Sequence, residues 1–290
     1  MKWIDYVSPT SLSEALDILA RDGERTRALA GGTDILVQLR ARRRLPDILL
    51  DVKAIPELNE LSYDSASGLT IGAAVECYRI YEDAAVIQHY PALVDCTSII
   101  GGIQIQGRAS VGGNLCNAAP SADSIPALIA YGATANIAGP NGARSVPVED
   151  VCTGPGQTIL EANEILVSVS VPTPAPNSGA RYIRFIPRNE MDIAVVGAGV
   201  SVELDGDTIR SARVSLASVA PTPLFVREAG EALAGQSISD ESIRKASALA
   251  QGAAKPITDM RGTIEFRNHL CEVLTRRALN TAIERAREAS

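Results

Sequence analysis

The N-terminal stretch switches between two hydrophobic periods. Leu12, Ala15, Leu16 and Leu19 recur at helical spacing behind Ser11-Leu12-Ser13-Glu14, which reads as a capping box, and Gly23 closes that helix. Arg27 to Ala30 then reads as a short strand that Gly31-Gly32 breaks. Thr33-Asp34 can open a second helix carrying Ile35, Leu36 and Leu39. Pro46 bars further helix, and Ile48 to Val52 is the next strand, so the pattern predicts a small βαβ unit.

Leu69 to Ala74 has strand character, and Glu76 to Ile100 is mostly helical, with Pro91 starting a fresh helix. Gly101, Gly102, Gly107, Gly112 and Gly113 interrupt the next segment so often that no long regular element is expected there. Ile103 to Gln106 could pair briefly as a strand. Residues 121–131 read as helix, and strands are expected over 133–138, 145–148, 165–171, 182–187, 193–204 and 209–217. Pro172 to Gly179 has linker composition and suggests a boundary, dividing the chain into residues 1–175, with subdomains of about 1–55 and 56–175, and residues 176–290. Phe266, Leu270, Val273, Leu274, Ala278 and Ala282 form an apolar stripe on a long terminal helix. A three-stranded antiparallel sheet with packed helices satisfies that order, and the class is α+β.

Composition narrows the function classes. The chain has 290 residues, 46% of them hydrophobic and 21% charged, which suits a folded protein large enough for two cores. Its formal net charge of −7 disfavours a broad nucleic-acid-binding surface. The opening Met1-Lys2-Trp3-Ile4-Asp5 meets an acid before any apolar run, and no apolar stretch is long enough to span a membrane, so a cytoplasmic protein is expected. The 5 cysteines are widely spaced without a C-x-x-C pair and read as reduced thiols; an iron–sulfur cluster would have to belong to another chain.

Two glycine loops carry the candidate chemistry. Ala30-Gly31-Gly32-Thr33-Asp34 and Ser110-Val111-Gly112-Gly113-Asn114 could each aim main-chain amides at an anion, because glycine lets the backbone approach closely and adopt positive φ. Either loop alone is more often an ordinary turn; together they could clasp one diphosphate. Neither matches G-x-G-x-x-G, Gly197-Ala198-Gly199 sits inside a strand, and Gly154-Pro155-Gly156 lacks the lysine of a nucleoside-triphosphate loop.

Ala28 to Ile35 and Ala109 to Asp123 resemble the paired signatures of the FAD-binding medium subunit of molybdenum hydroxylases, the family of xanthine and carbon monoxide dehydrogenases. Glu164-Ile165-Leu166, Tyr182-Ile183-Arg184-Phe185, Arg188 and Asp192-Ile193-Ala194 follow in the expected order. The resemblance implies a PCMH-type FAD-binding fold of two small α/β subdomains plus a C-terminal antiparallel sheet with packed helices. It implies that Leu29, Ala30, Gly31, Gly32, Thr33, Asp34, Ile35 and Leu36, with Ser110, Val111, Gly112, Gly113 and Asn114, cradle the pyrophosphate and ribityl chain of FAD. Asp123 would accept hydrogen bonds from cofactor hydroxyls, Ile100 and Leu166 would supply apolar contacts, and Arg184 would replace a lysine common in the family.

The same resemblance implies electron transfer from [2Fe-2S] clusters on a small subunit to FAD and on to an external acceptor. The substrate would be hydroxylated at molybdopterin on a large subunit, within a dimer of heterotrimers. No side-chain catalyst and no metal ligand on this chain is implied. His89 and His269 lie far in sequence from both glycine loops, so the flavin is expected to be non-covalent. Arg40 with Arg42 to Arg44 is a basic run in an acidic chain, either a solvated helix end or a docking surface for an acidic neighbour. A free-standing flavin oxidase or reductase of the same fold, or a flavin-free scaffold subunit, are the alternative readings.

Overall fold

The computed structural model describes residues 3–43 and 45–289; Met1, Lys2, Arg44 and Ser290 lie outside them. The chain begins with β1 (Asp5–Val7), α1 (Leu12–Asp22), β2 (Thr26–Leu29), α2 (Ile35–Arg40) and β3 (Ile48–Asp51). Ser11 caps α1 by accepting from the Glu14 amide, while the Glu14 carboxylate reaches back to the Thr10 amide. The three strands pair in parallel in the order β1-β3-β2, with Thr26 opposite Ile48 and Leu29 opposite Asp51. The expected βαβ unit is therefore present, and β1 adds an edge strand that the pattern did not announce.

The second subdomain runs β4 (Leu61–Asp64), β5 (Gly68–Gly72), α3 (Cys77–Glu82), α4 (Ala84–His89), α5 (Pro91–Thr97), α6 (Ile103–Gln106), α7 (Val111–Asn117) and α8 (Ser124–Tyr131). It continues through β6 (Thr134–Gly139), β7 (Gly142–Pro147), β8 (Cys152–Gly154), β9 (Gln157–Thr158) and β10 (Ile165–Val171). Strand β10 lies between β5 and β6 in an antiparallel sheet ordered β4-β5-β10-β6-β7. Its pairing with β6 slips between Leu166 and Ser168, and such a bulge bends the strand and re-aims its side chains.

The glycine-rich segment 101–120 corrects one expectation. Ile103 to Gln106 is a helical turn, because the Ile105 and Gln106 amides both donate to the Gly102 carbonyl and the Gln106 side chain is tied to Ser98 and Tyr81. Gly112-Gly113 lies in the first turn of α7, capped by Ser110, whose hydroxyl accepts from the Gly113 amide.

The chain ends in β11 (Ser178–Phe185), β12 (Val196–Asp205), β13 (Thr208–Ala217), β14 (Leu224–Phe225), α9 (Arg227–Glu231), β15 (Gln236–Ser237), α10 (Asp240–Ala253) and α11 (Ile264–Glu288). The expected antiparallel trio β11-β12-β13 gains β14 and β15 as short partners of β13. Leu270, Leu274, Ala278 and Ala282 are buried under this sheet as the stripe predicts, joined by Cys271, Leu279, Ile283 and Ala286, whereas Phe266 stays exposed and Val273 is half-buried.

Two apolar clusters form the interior. One runs from Ala15 to Tyr182 and the other from Val195 to Ala286, and both β11 and β14 contribute side chains to each. Asp95 on α5 clamps the units together, accepting from the Tyr182 amide at 3.1 Å and from Arg285 of α11 at 2.7 Å. All five cysteines are free thiols.

Candidate functional site

The two glycine loops meet. A side chain at Gly31 would start 1.7 Å from the Arg108 carbonyl oxygen, so only glycine lets the turn after β2 lie against the approach to α7. Gly32 follows with φ +81°, the left-handed region that turns the chain into α2. Helices α2 and α7 are tied by Gln38, whose Nε2 donates to Asn117 Oδ1 at 2.9 Å.

Between the loops runs a cleft of about 720 Å³, in the range usual for small-molecule sites. Ala30, Gly31, Gly32, Thr33, Asp34 and Ile35 line one wall, and Ser110, Gly112, Gly113 and Asn114 another. Ile100 lines it as well, and the β10 bulge brings Leu166 to it. Among the described residues, the main-chain amides of Gly32, Thr33, Asp34 and Gly112 donate to no carbonyl or side chain. Unpaired amides at a turn and at a helix start form the kind of surface that holds an anion without a cation. The Asn114 amide oxygen accepts from the Ser124 hydroxyl at 2.6 Å, which fixes that side chain at the wall. Desolvation at the wall raises the pKa of Asp34.

The remaining residues expected at the site do not line this cleft. Leu29 and Val111 point into the core, where they are 7% and 0% exposed. Leu36 faces outward and is 56% exposed. The Asp123 carboxylate, expected against cofactor hydroxyls, is instead occupied on both oxygens: Tyr182 Oη donates to one and Arg184 Nη1 to the other, each at 2.6 Å. Burial pushes that carboxyl's pKa up, while Arg184 and Tyr182 pull it down. Arg184 also donates to the Ile99 carbonyl at 2.9 Å, so the pair braces the turn that presents Ile100. Asp123 and Arg184 thus support the wall from behind it.

Several lining residues escaped the sequence reading. Leu19, Val52 and Leu58 come from the first apolar cluster, and Gly156, Gln157, Thr158, Leu160, Glu161 and Ala162 line the cleft as well. Arg27 is the one cationic side chain among the described residues of the lining, and it makes no hydrogen bond or ion pair. Glu164 also lines the cleft, held by Arg144 at 2.7 Å, which keeps its carboxyl below the usual range. Neither histidine lines it: His89 stacks on Tyr63 beside a second cavity. No cluster of three metal-ligating side chains occurs among the described residues, and no described helix is long and apolar enough to cross a membrane.

Comparison with known proteins gives this cleft a context. The family model described as "FAD binding domain in molybdopterin dehydrogenase" matches residues 2–174, and "CO dehydrogenase flavoprotein C-terminal domain" matches residues 181–282. The chain is 32% identical to the xanthine dehydrogenase FAD-binding subunit of Escherichia coli O157:H7, covering 97% of this chain and 96% of that one. It is 31% identical to the carbon monoxide dehydrogenase medium chain of Hydrogenophaga pseudoflava, covering 96% of each. The solved carbon monoxide dehydrogenase of Hydrogenophaga pseudoflava lacking the Mo-pyranopterin moiety superimposes with a TM-score of 0.94 at 30% identity over 98% of both chains.

Proposed function

The chain belongs to the FAD-binding subunits of the molybdopterin dehydrogenases, and from that membership we propose that its FAD lies in the cleft between the two glycine loops. The observation that carries this reading is the set of unpaired amides at Gly32, Thr33, Asp34 and Gly112, supplied by two loops in mutual contact. When bound, FAD supplies a redox centre that accepts electrons singly and releases them singly or in pairs.

The residues present fit a flavin dinucleotide. Gly32, Thr33, Asp34 and Gly112 would hold the pyrophosphate through main-chain N–H groups, with Gly113 offering an open approach, since a Cβ there meets only the Ser110 hydroxyl within 4 Å. Thr33, Ser110 and Asn114 place hydroxyl and amide groups beside it, and Ile100 and Leu166 supply apolar wall. The Asp123–Arg184 pair holds the Ile100 turn in position from behind. None of these residues exchanges a proton or forms a bond in the reading: the chain binds, orients and shields.

The protein works as one subunit of a multi-subunit oxidoreductase. In our reading the substrate is hydroxylated on a large molybdopterin subunit, a small iron–sulfur subunit relays electrons, and this chain delivers them to an external acceptor. We place it in a cytoplasmic dimer of heterotrimers, with the domain boundary at 172–179. The test is FAD titration of the full chain, followed by flavin fluorescence and by absorption after desalting. Stoichiometric retention, lost in Gly32→Val, supports the site. A chain that takes up no FAD, or a Gly32→Val variant that keeps it fully, contradicts it.

A further inference from the structure

Helix α2 presents two unlike faces. Ile35 and Gln38 line the cleft. None of the six residues of the helix is buried, and Leu36 and Val37 are 56% and 64% exposed. Leu36 and Val37 thus leave an apolar face of this helix without a cover among the described residues.

That apolar face has a cationic border. Arg40, Arg42 and Arg43 are exposed, and their side chains make no hydrogen bond or ion pair among the described residues. The concentration of positive charge is local, since the whole chain carries a net charge of −7. An exposed apolar centre with a charged rim is the anatomy of a protein–protein contact, and the sign of the rim specifies an acidic complement. Leu36 also connects this face to the site: its Cδ1 lies 3.3 Å from where a side chain at Gly32 would begin.

We propose that Leu36, Val37, Arg40 and Arg43 dock an acidic, apolar-centred face of another subunit of the same complex, and that this contact steadies α2 and tightens the cleft on its other side. The inference rests on the reading of the chain as a subunit of a molybdopterin dehydrogenase. Because linkage is reciprocal, a contact that favours the ordered helix raises cofactor affinity, and bound cofactor raises affinity for the partner.

The experiment co-expresses the full chain with the other subunits of its complex and compares wild type with Val37→Glu and with Arg40→Glu/Arg43→Glu. As isolated chains, both variants are expected to keep wild-type FAD content and melting temperature, which separates this inference from the cofactor assignment. In the co-expressed complex, recovery of partner subunits is expected to fall at least about tenfold, and wild-type assembly to weaken from about 0.05 to 0.5 M salt. Should Val37→Glu melt early, the double arginine variant carries the test. Unchanged assembly in the charge-reversed variant overturns the proposal. So does self-association of the isolated wild-type chain that Val37→Glu abolishes, or binding to phosphatidylglycerol vesicles that Arg40→Glu/Arg43→Glu abolishes.

Discussion

Gly31 and Arg108, 77 positions apart in sequence, share one place: the Arg108 carbonyl oxygen lies 1.7 Å from where a Gly31 side chain would begin. The contact brings two separate glycine bends together at one site. Gly31→Ala forces them apart. We expect FAD retention to be lost and the melting temperature to fall, by the amount a core overpacking of about 1–3 kcal/mol produces. Absorption after desalting and a thermal melt check both. Gly113→Ala is the comparison, since it meets only the Ser110 hydroxyl, at 2.9 Å.

The Asp123–Arg184 pair is expected to act on stability first. Its side chains are only 10% and 6% exposed, and removing one partner strands a buried charge, at a cost of about 3–5 kcal/mol. Arg184→Met is expected to lower the unfolding free energy extrapolated from urea melts by that amount. Arg184→Lys keeps the charge but not the fork that reaches both Asp123 and the Ile99 carbonyl, so it should fall between wild type and Arg184→Met.

Stability against acid is expected to depend on Asp51, at the end of β3. Burial would raise its pKa, but hydrogen bonds from Lys53 and Tyr6 hold it below the usual carboxylate range. A group whose folded pKa is depressed adds stability above its unfolded pKa of about 4 and loses it as pH falls through the lower folded value. Asp51→Asn should therefore be less stable than wild type at neutral pH, and the gap should close below about pH 4. Urea midpoints across that range test the sign.

Anion binding by amides predicts weak dependence on salt. Arg27 is exposed, so Arg27→Gln is expected to weaken FAD binding by less than about tenfold, and wild-type affinity should change little between about 0.05 and 0.5 M salt. Fluorescence titration at both salt levels gives the answer. A collapse of binding in Arg27→Gln would move the burden from main chain to side chain.

Much of this architecture is legible in the sequence because it is local. Ser11 capping α1, the Gly31-Gly32 break, Pro91 at a helix start and the Leu270 to Ala282 stripe each act within one or two turns of their own element. The misses have physical causes. Strand β1 is three residues long, with Asp5 and Tyr6 exposed, so it has no apolar run to betray it. The isoleucines of Ile103 to Gln106 favour a strand, but the Gly102 carbonyl captures two amides and wins. Gly112 looks like a phosphate glycine only. A Cβ there would also lie 2.5 Å from Ala73, so its smallness serves packing as well.

At the site, the loops were legible and their supports were not. Asp123 meets Tyr182 and Arg184 across about sixty residues, through a strand whose register no local pattern sets. Leu29 and Leu36 flank cleft residues in sequence, yet the turn aims one inward and the other to solvent. Arg27 sits on β2 as one exposed charge among many, and only the fold brings it to the cleft.

The most direct test follows the backbone amides of the isotopically labelled chain by NMR while FAD is added. The account predicts that Gly32, Thr33, Asp34 and Gly112 show the largest shifts, saturating together at one FAD per chain. Stoichiometric binding of FAD that leaves those four resonances unmoved would contradict it.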